Sequence, residues 1–143
     1  MHFIYVKIPS VPLRIKHIES SGRLIRAEKK IQAGHFGSAL KDISISFYAA
    51  LGHYGIHLES NPTNITGSDL LRFWIRKFGV DAKRFSKFEV IAPNVKFNFV
   101  LQRFEPTKEQ KTFLLSKNEV QFCFDFALQS ILQIESEFER LMR

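Results

Sequence analysis

The sequence predicts a mainly α fold, an up-down helical bundle, and three observations carry that prediction. Apolar residues from Val120 to Leu141 recur in steps of 4, 3, 4, 3, 4 and 3, the spacing of one helix face. Residues 36–51 repeat the i, i+3, i+4, i+7 spacing of a second helix. A capping box, Ser116-Lys117-Asn118-Glu119, stands directly ahead of the first pattern. With 143 residues, 45% of them apolar, the chain suffices for one domain that buries a core without disulfide or metal support. The expected division is an N-terminal extended segment over 1–19 and a single helical domain over 20–143.

Taken in order, Phe3-Tyr5 and Ile4-Val6-Ile8 alternate like a strand closed by Pro9, which gives the extended segment. A helix follows from about Ser20 to Ala33 with Leu24, Ala27 and Ile31 inward, and Gly34-His35 turns it back on the next. Phe36, Ala39, Leu40, Ile43, Phe47, Ala50 and Leu51 share one face of that second helix, and Gly52 stands where a left-handed cap ends it. Gly55, Asn61-Pro62 and Gly67 mark a polar loop over 55–67. Ser68 is placed to cap a short helix with Leu70, Leu71, Trp74 and Phe78 inward and Gly79 at its end; Asp81 is placed to cap another short turn. Over 88–104 two readings stay open. Phe88, Val90 and Ala92, then Val95, Phe97, Phe99 and Leu101, alternate as hairpin strands around Pro93-Asn94. A helix with Pro93 in its first turn would instead bury Phe97, Val100, Leu101 and Phe104. Thr107 and Gln110 form a capping pair before Phe113-Leu114-Leu115. The closing helix then runs about 25 residues, roughly 38 Å at the standard rise. Its seam is Val120, Phe124, Ala127, Ile131, Ile134, Phe138 and Leu141, either bundle core or a homodimer contact.

The charge is +7 and falls in blocks: +6 over 1–41, −3 over 42–70, +6 over 71–111 and −2 over 112–143. Such a field attracts phosphate-rich partners and steers their approach. No apolar run approaches the length that spans a membrane, and the first residues lack the pattern of a secretory signal. One cysteine excludes an internal disulfide and a multi-cysteine zinc site, and fits a reducing compartment. The expectation is a cytoplasmic protein without membrane contact and without a cofactor.

At Arg26-Ala27-Glu28-Lys29-Lys30-Ile31-Gln32-Ala33-Gly34-His35-Phe36-Gly37-Ser38-Ala39-Leu40-Lys41 the chain resembles HEPN-type helical domains, in which a first long helix ends in a small-Gly-polar-aromatic turn and a second folds back on it. The closing helix from Asn118 looks like the last helix of that family, so the resemblance covers roughly residues 20–56 and 116–141. The same turn also looks like a tetratricopeptide hairpin, but the pattern does not recur about 34 residues on. Catalytic HEPN ribonucleases carry an arginine followed four to six residues later by a histidine. Here no histidine follows His57, which leaves Arg72, Arg76, Arg84 and Arg103 without one. The resemblance therefore implies a bundle that dimerises and acts by binding, in a defence or toxin–antitoxin setting, without the nuclease.

The densest chemical feature is Arg72-Phe73-Trp74-Ile75-Arg76-Lys77-Phe78 continuing to Lys83-Arg84-Phe85-Ser86-Lys87-Phe88, six bases and one acid in 16 positions. Arg72 and Arg76 share a helix face, as do Lys83 and Lys87 if their segment is helical, and Phe73 or Phe85 could stack on a base. Arg23, Arg26 and Lys30 form a second stripe on the first helix. Set against these, the ordinary role of Lys and Arg is to solvate an outer face. His35, near Lys29, Lys30 and Lys41, is a candidate general acid–base group, though a lone turn histidine is more often a surface residue. His53 and His57 stand at i, i+4, but with Gly52 and Gly55 breaking the helix no metal site is expected. Cys123 in an apolar helix reads as an inert thiol. The functional expectation is a non-catalytic module that binds RNA, another phosphate-bearing ligand or a protein. The alternatives are a small ribonuclease using His35 with lysines, and a purely structural oligomerisation module using the Phe-rich seam.

Overall fold

The computed structural model describes residues 14–58, 67–92, 95–98, 100–101, 103–106 and 115–143. Among them lie five helices and one hairpin: α1 (Ile18–Gln32), α2 (Phe36–Leu58), α3 (Gly67–Lys77), α4 (Ala82–Ile91), β1 (Val95–Asn98), β2 (Arg103–Pro106) and α5 (Lys117–Leu141). The fold is a helical bundle. α1 and α2 form a helical hairpin, and α5 packs against α1, α2 and α4. The strand-like segment before Pro9 and the Thr107/Gln110 pair lie outside the described residues.

Local signals start and stop these helices. Ser116 Oγ accepts from the Glu119 N–H and the Glu119 carboxylate accepts from the Ser116 N–H, so the capping box closes in both directions. Gly34 (φ 80°) and Gly79 (φ 70°) take the left-handed conformation after α1 and α3, where a side chain would be strained. The seam of α5 is core: Val120, Phe124, Ala127, Ile131 and Ile134 are buried, and Phe138 is half-buried against the Tyr54 ring, 4.9 Å between centroids. Phe47, Phe88 and Phe126, from α2, α4 and α5, meet with centroids 4.8–5.3 Å apart and tie the fourth helix to the bundle.

Four expectations need correction. Gly52 does not stop α2, which continues two turns to Leu58; residues 55–58 are helix and not loop. Burial explains this, since Leu51, Gly52, Tyr54 and Gly55 all face the core and packing outweighs the cost of about 1 kcal/mol per helical glycine. The turn of the hairpin is not at Pro93-Asn94. Residues 88–91 finish α4, and the strands are Val95–Asn98 and Arg103–Pro106, antiparallel with Phe97 opposite Phe104. Asn98 Oδ1 accepts from the N–H groups of Val100 and Leu101 and so holds the turn, leaving Val100 92% exposed, which excludes the helix that would bury it. Finally, the domain does not begin at residue 20: Ile15 is buried in the core, and Lys16 and His17 are tied to α5.

Candidate functional site

α3 buries Leu70, Leu71, Trp74, Ile75 and Phe78, which turns its remaining stripe outward. That stripe is Asp69, Arg72, Phe73 and Arg76, at i, i+3, i+4 and i+7. α4 starts at Asp81, whose carboxylate accepts from the Arg84 N–H at 3.1 Å, and buries Phe85, Phe88 and Ile91. Its stripe toward the cleft is the exposed Ala82, Ser86 and Glu89 together with the buried Phe85. The two stripes and Ile75 line an open cleft of about 480 Å³. Arg72 and Arg76 are exposed on its wall, Phe73 is half-buried between them, and neither arginine forms an ion pair among the described residues.

The other bases of the cluster go elsewhere. Lys77 and Lys83 are exposed beside the α3–α4 turn. Arg84 and Lys87 turn toward α5: Arg84 Nη1 donates to Gln129 Oε1 at 2.6 Å, and Lys87 Nζ sits 4.2 Å from the Phe122 ring centroid. α4 is helical, so Lys83 and Lys87 do share a side of it, but that side is not the cleft.

The stripe on α1 is divided. Arg23 and Lys30 both reach Asp42 of α2, at 3.0 and 2.5 Å, where the Asp42 side chain is 4% exposed. Two cations around a buried carboxylate satisfy its charge and are held by it. Only Arg26 of the three is exposed. The sequence carried a signal for this arrangement. Reflected about the Gly34 turn, Asp42 falls opposite Arg26, midway between Arg23 and Lys30, and it is an acid inside an apolar helix. His35 is exposed in that turn, its N–H donating to the Lys30 carbonyl at 2.8 Å, while the Lys30 ammonium is held by Asp42.

A second polar cluster was not foreseen. Glu135, buried on α5, accepts from the backbone N–H of Lys16 (2.8 and 3.1 Å), the N–H of His17 (2.9 Å) and the Tyr54 hydroxyl (2.5 Å). It thereby caps α1, whose own N-cap residue His17 provides no side-chain cap bond. Burial, then the bond to Glu135, pushes the Tyr54 hydroxyl above its ordinary range. Continuity of α2 also puts His53 and His57 on one face, contrary to the sequence reading. The rings of His17, His53 and His57 form a row, with centroids 4.7 and 4.4 Å apart. Ser20 donates to the Ser46 carbonyl, so its oxygen accepts from His17 Nδ1–H (2.7 Å). Burial is the first cause lowering the pKa of both His17 and His53, with His17 and His57 as further causes at His53. No group of three His, Cys, Asp or Glu side chains is placed to hold a metal ion among the described residues. No helix among them is long and apolar enough to cross a membrane.

Comparison with protein-family models, curated proteins and solved structures finds no match for this chain.

Proposed function

We propose that the α3–α4 cleft binds a phosphate-bearing ligand, single-stranded RNA first, without catalysis by this chain. One observation carries the reading: Arg72 and Arg76 stand a turn apart on the wall of a cleft, exposed, with Phe73 between them. Guanidinium groups bind phosphate through paired N–H donors, and an aromatic face beside them accepts an unstacked base. Of the three lysines that the ribonuclease alternative sets near His35, Lys30 has its ammonium on Asp42. The oligomerisation alternative loses most of its surface because Val120, Phe124, Ala127, Ile131 and Ile134 of the α5 seam are buried within the chain.

The test is fluorescence polarisation of a labelled single-stranded RNA over a range of salt. Replacing Arg72 and Arg76 together by Ala should weaken binding at least tenfold and flatten the log–log salt slope by about 1.4, the share of two phosphates on a single strand. Arg26→Ala, which removes an equal kind of charge from another face, should change the slope far less. An Arg72/Arg76 variant with the wild-type slope contradicts the proposal.

A further inference from the structure

The ridge of α4 that separates the cleft from the basic side of that helix is low. Ala82 and Ser86 line the cleft, and the residue after each is a lysine, Lys83 and Lys87. Ala82 ends at Cβ, and the Ser86 hydroxyl donates to the Ala82 carbonyl at 3.0 Å, which folds that side chain back on its own helix. Over the ridge, Lys83 and Lys87 are exposed. They stand one turn apart, about 6 Å along the axis. Lys83 forms no ion pair among the described residues. The Lys87 ammonium is held 4.2 Å from the centroid of the Phe122 ring on α5. Ring and cation attract through charge, so the N–H donors of the ammonium stay available to a second partner. Arg84, 5.9 Å from the same centroid, gives Nη1 to Gln129 and keeps its other donors.

Resting on the phosphate reading above, we infer that a single strand of RNA leaves the cleft over Ala82 and Ser86 and lays a further stretch of its backbone on Lys83 and Lys87. The crossing falls on the first two turns of α4, because Glu89 stands on its last turn and repels phosphate. Phe122 holds the Lys87 ammonium in one place before the strand arrives, which lowers the ordering cost of that contact. Lys83 and Lys87 touch backbone alone, so this part of the surface positions the strand and reads no sequence. It serves only a strand long enough to pass over the helix, whose diameter with side chains is about 10–12 Å. A short ligand seated on Arg72 and Arg76 does not reach it.

The experiment is competition fluorescence polarisation with the full chain, displacing a labelled RNA with a 5′-phosphorylated uridine dinucleotide or with an octanucleotide of uridine. Replacing Lys83 and Lys87 together by Ala should weaken the octanucleotide roughly fivefold or more and flatten its log–log salt slope by about 1.4, while the dinucleotide stays within about twofold of wild type. Replacing Lys29 and Lys41 together by Ala removes the same charge from exposed positions beside the α1–α2 turn and should change the octanucleotide slope far less. Circular dichroism checks that each variant is folded. An octanucleotide slope that the Lys83/Lys87 variant leaves unchanged, with both ligands still weakened in the Arg72/Arg76 variant, overturns the path and leaves the cleft standing. Equal weakening of dinucleotide and octanucleotide by the Lys83/Lys87 variant also overturns the path. An octanucleotide that depends on Lys83 and Lys87 but not on Arg72 and Arg76 overturns the cleft, and the path from it with it.

Discussion

Gly55 shows how a missing side chain builds the site from a distance. A Cβ there would stand 2.3 Å from two carbons of the Trp74 indole, which lies wholly buried against the α2 backbone. The indole is rigid and enclosed, so it has nowhere to shift. Trp74 sits between Phe73 and Ile75, and its seat fixes the rotation of α3 and hence the outward aim of Arg72 and Arg76. Gly55→Ala should cost about 1–3 kcal/mol by overpacking, read as a lower urea midpoint; an unchanged midpoint would contradict the close approach. Gly55 and Gly52 were legible as glycines but not in role. Periodicity alone reads a helical glycine as an end, because the surface that rewards its smallness comes from a residue about twenty positions later. Arg72 and Arg76 were legible because i, i+4 spacing needs only local helix geometry. Arg23 and Lys30 read as an exposed stripe because their partner, Asp42, lies across the hairpin.

Among the elements, the start of α1 depends on α5. Glu135 supplies the cap that the local sequence lacks, and Lys16 adds an ion pair with Glu139 a turn further on. The His17–His53–His57 row closes over this junction, facing Glu19 on α1, Tyr54 on α2 and Glu135 on α5. His17 and His53 have lower pKa values folded than unfolded, so the unfolded chain takes up more protons as the pH falls below the ordinary histidine value of about 6.5. Their contribution is thus fully present above that pH and is lost as the pH drops toward the folded values. Urea midpoints measured from pH 8 to pH 5 should decline below about 6.5, and replacing His17 and His53 by Gln should reduce that decline; an equal decline in the variant would contradict the assignment. None of this was legible. A lone Glu in an apolar seam announces burial, but its donors are backbone N–H groups 118 and 119 residues earlier and the Tyr54 hydroxyl 81 residues earlier. The helices themselves were legible wherever an apolar periodic face ran for several turns, as in α1, the first part of α2, and α5. The 88–104 segment was not, because α4 and β1 are both short and period 2 over Phe88, Val90 and Ala92 mimics a strand.

At the scale of the molecule, the charge blocks do not add into one positive face. The first block spends two of its cations on Asp42, and the third divides between the cleft, the α3–α4 turn and the Phe122 edge of α5. What the fold brings together is narrower than the sequence suggested: two exposed arginines and the half-buried Phe73 at a cleft between a pair of short helices. Amide chemical-shift mapping with a single-stranded RNA oligonucleotide examines that directly. Shifts should concentrate between Asp69 and Glu89, strongest around Arg72, Phe73, Arg76 and Ser86, and fade as salt is raised. Shifts centred instead on the outer face of α1 around Arg26, or none at low salt, would contradict the account.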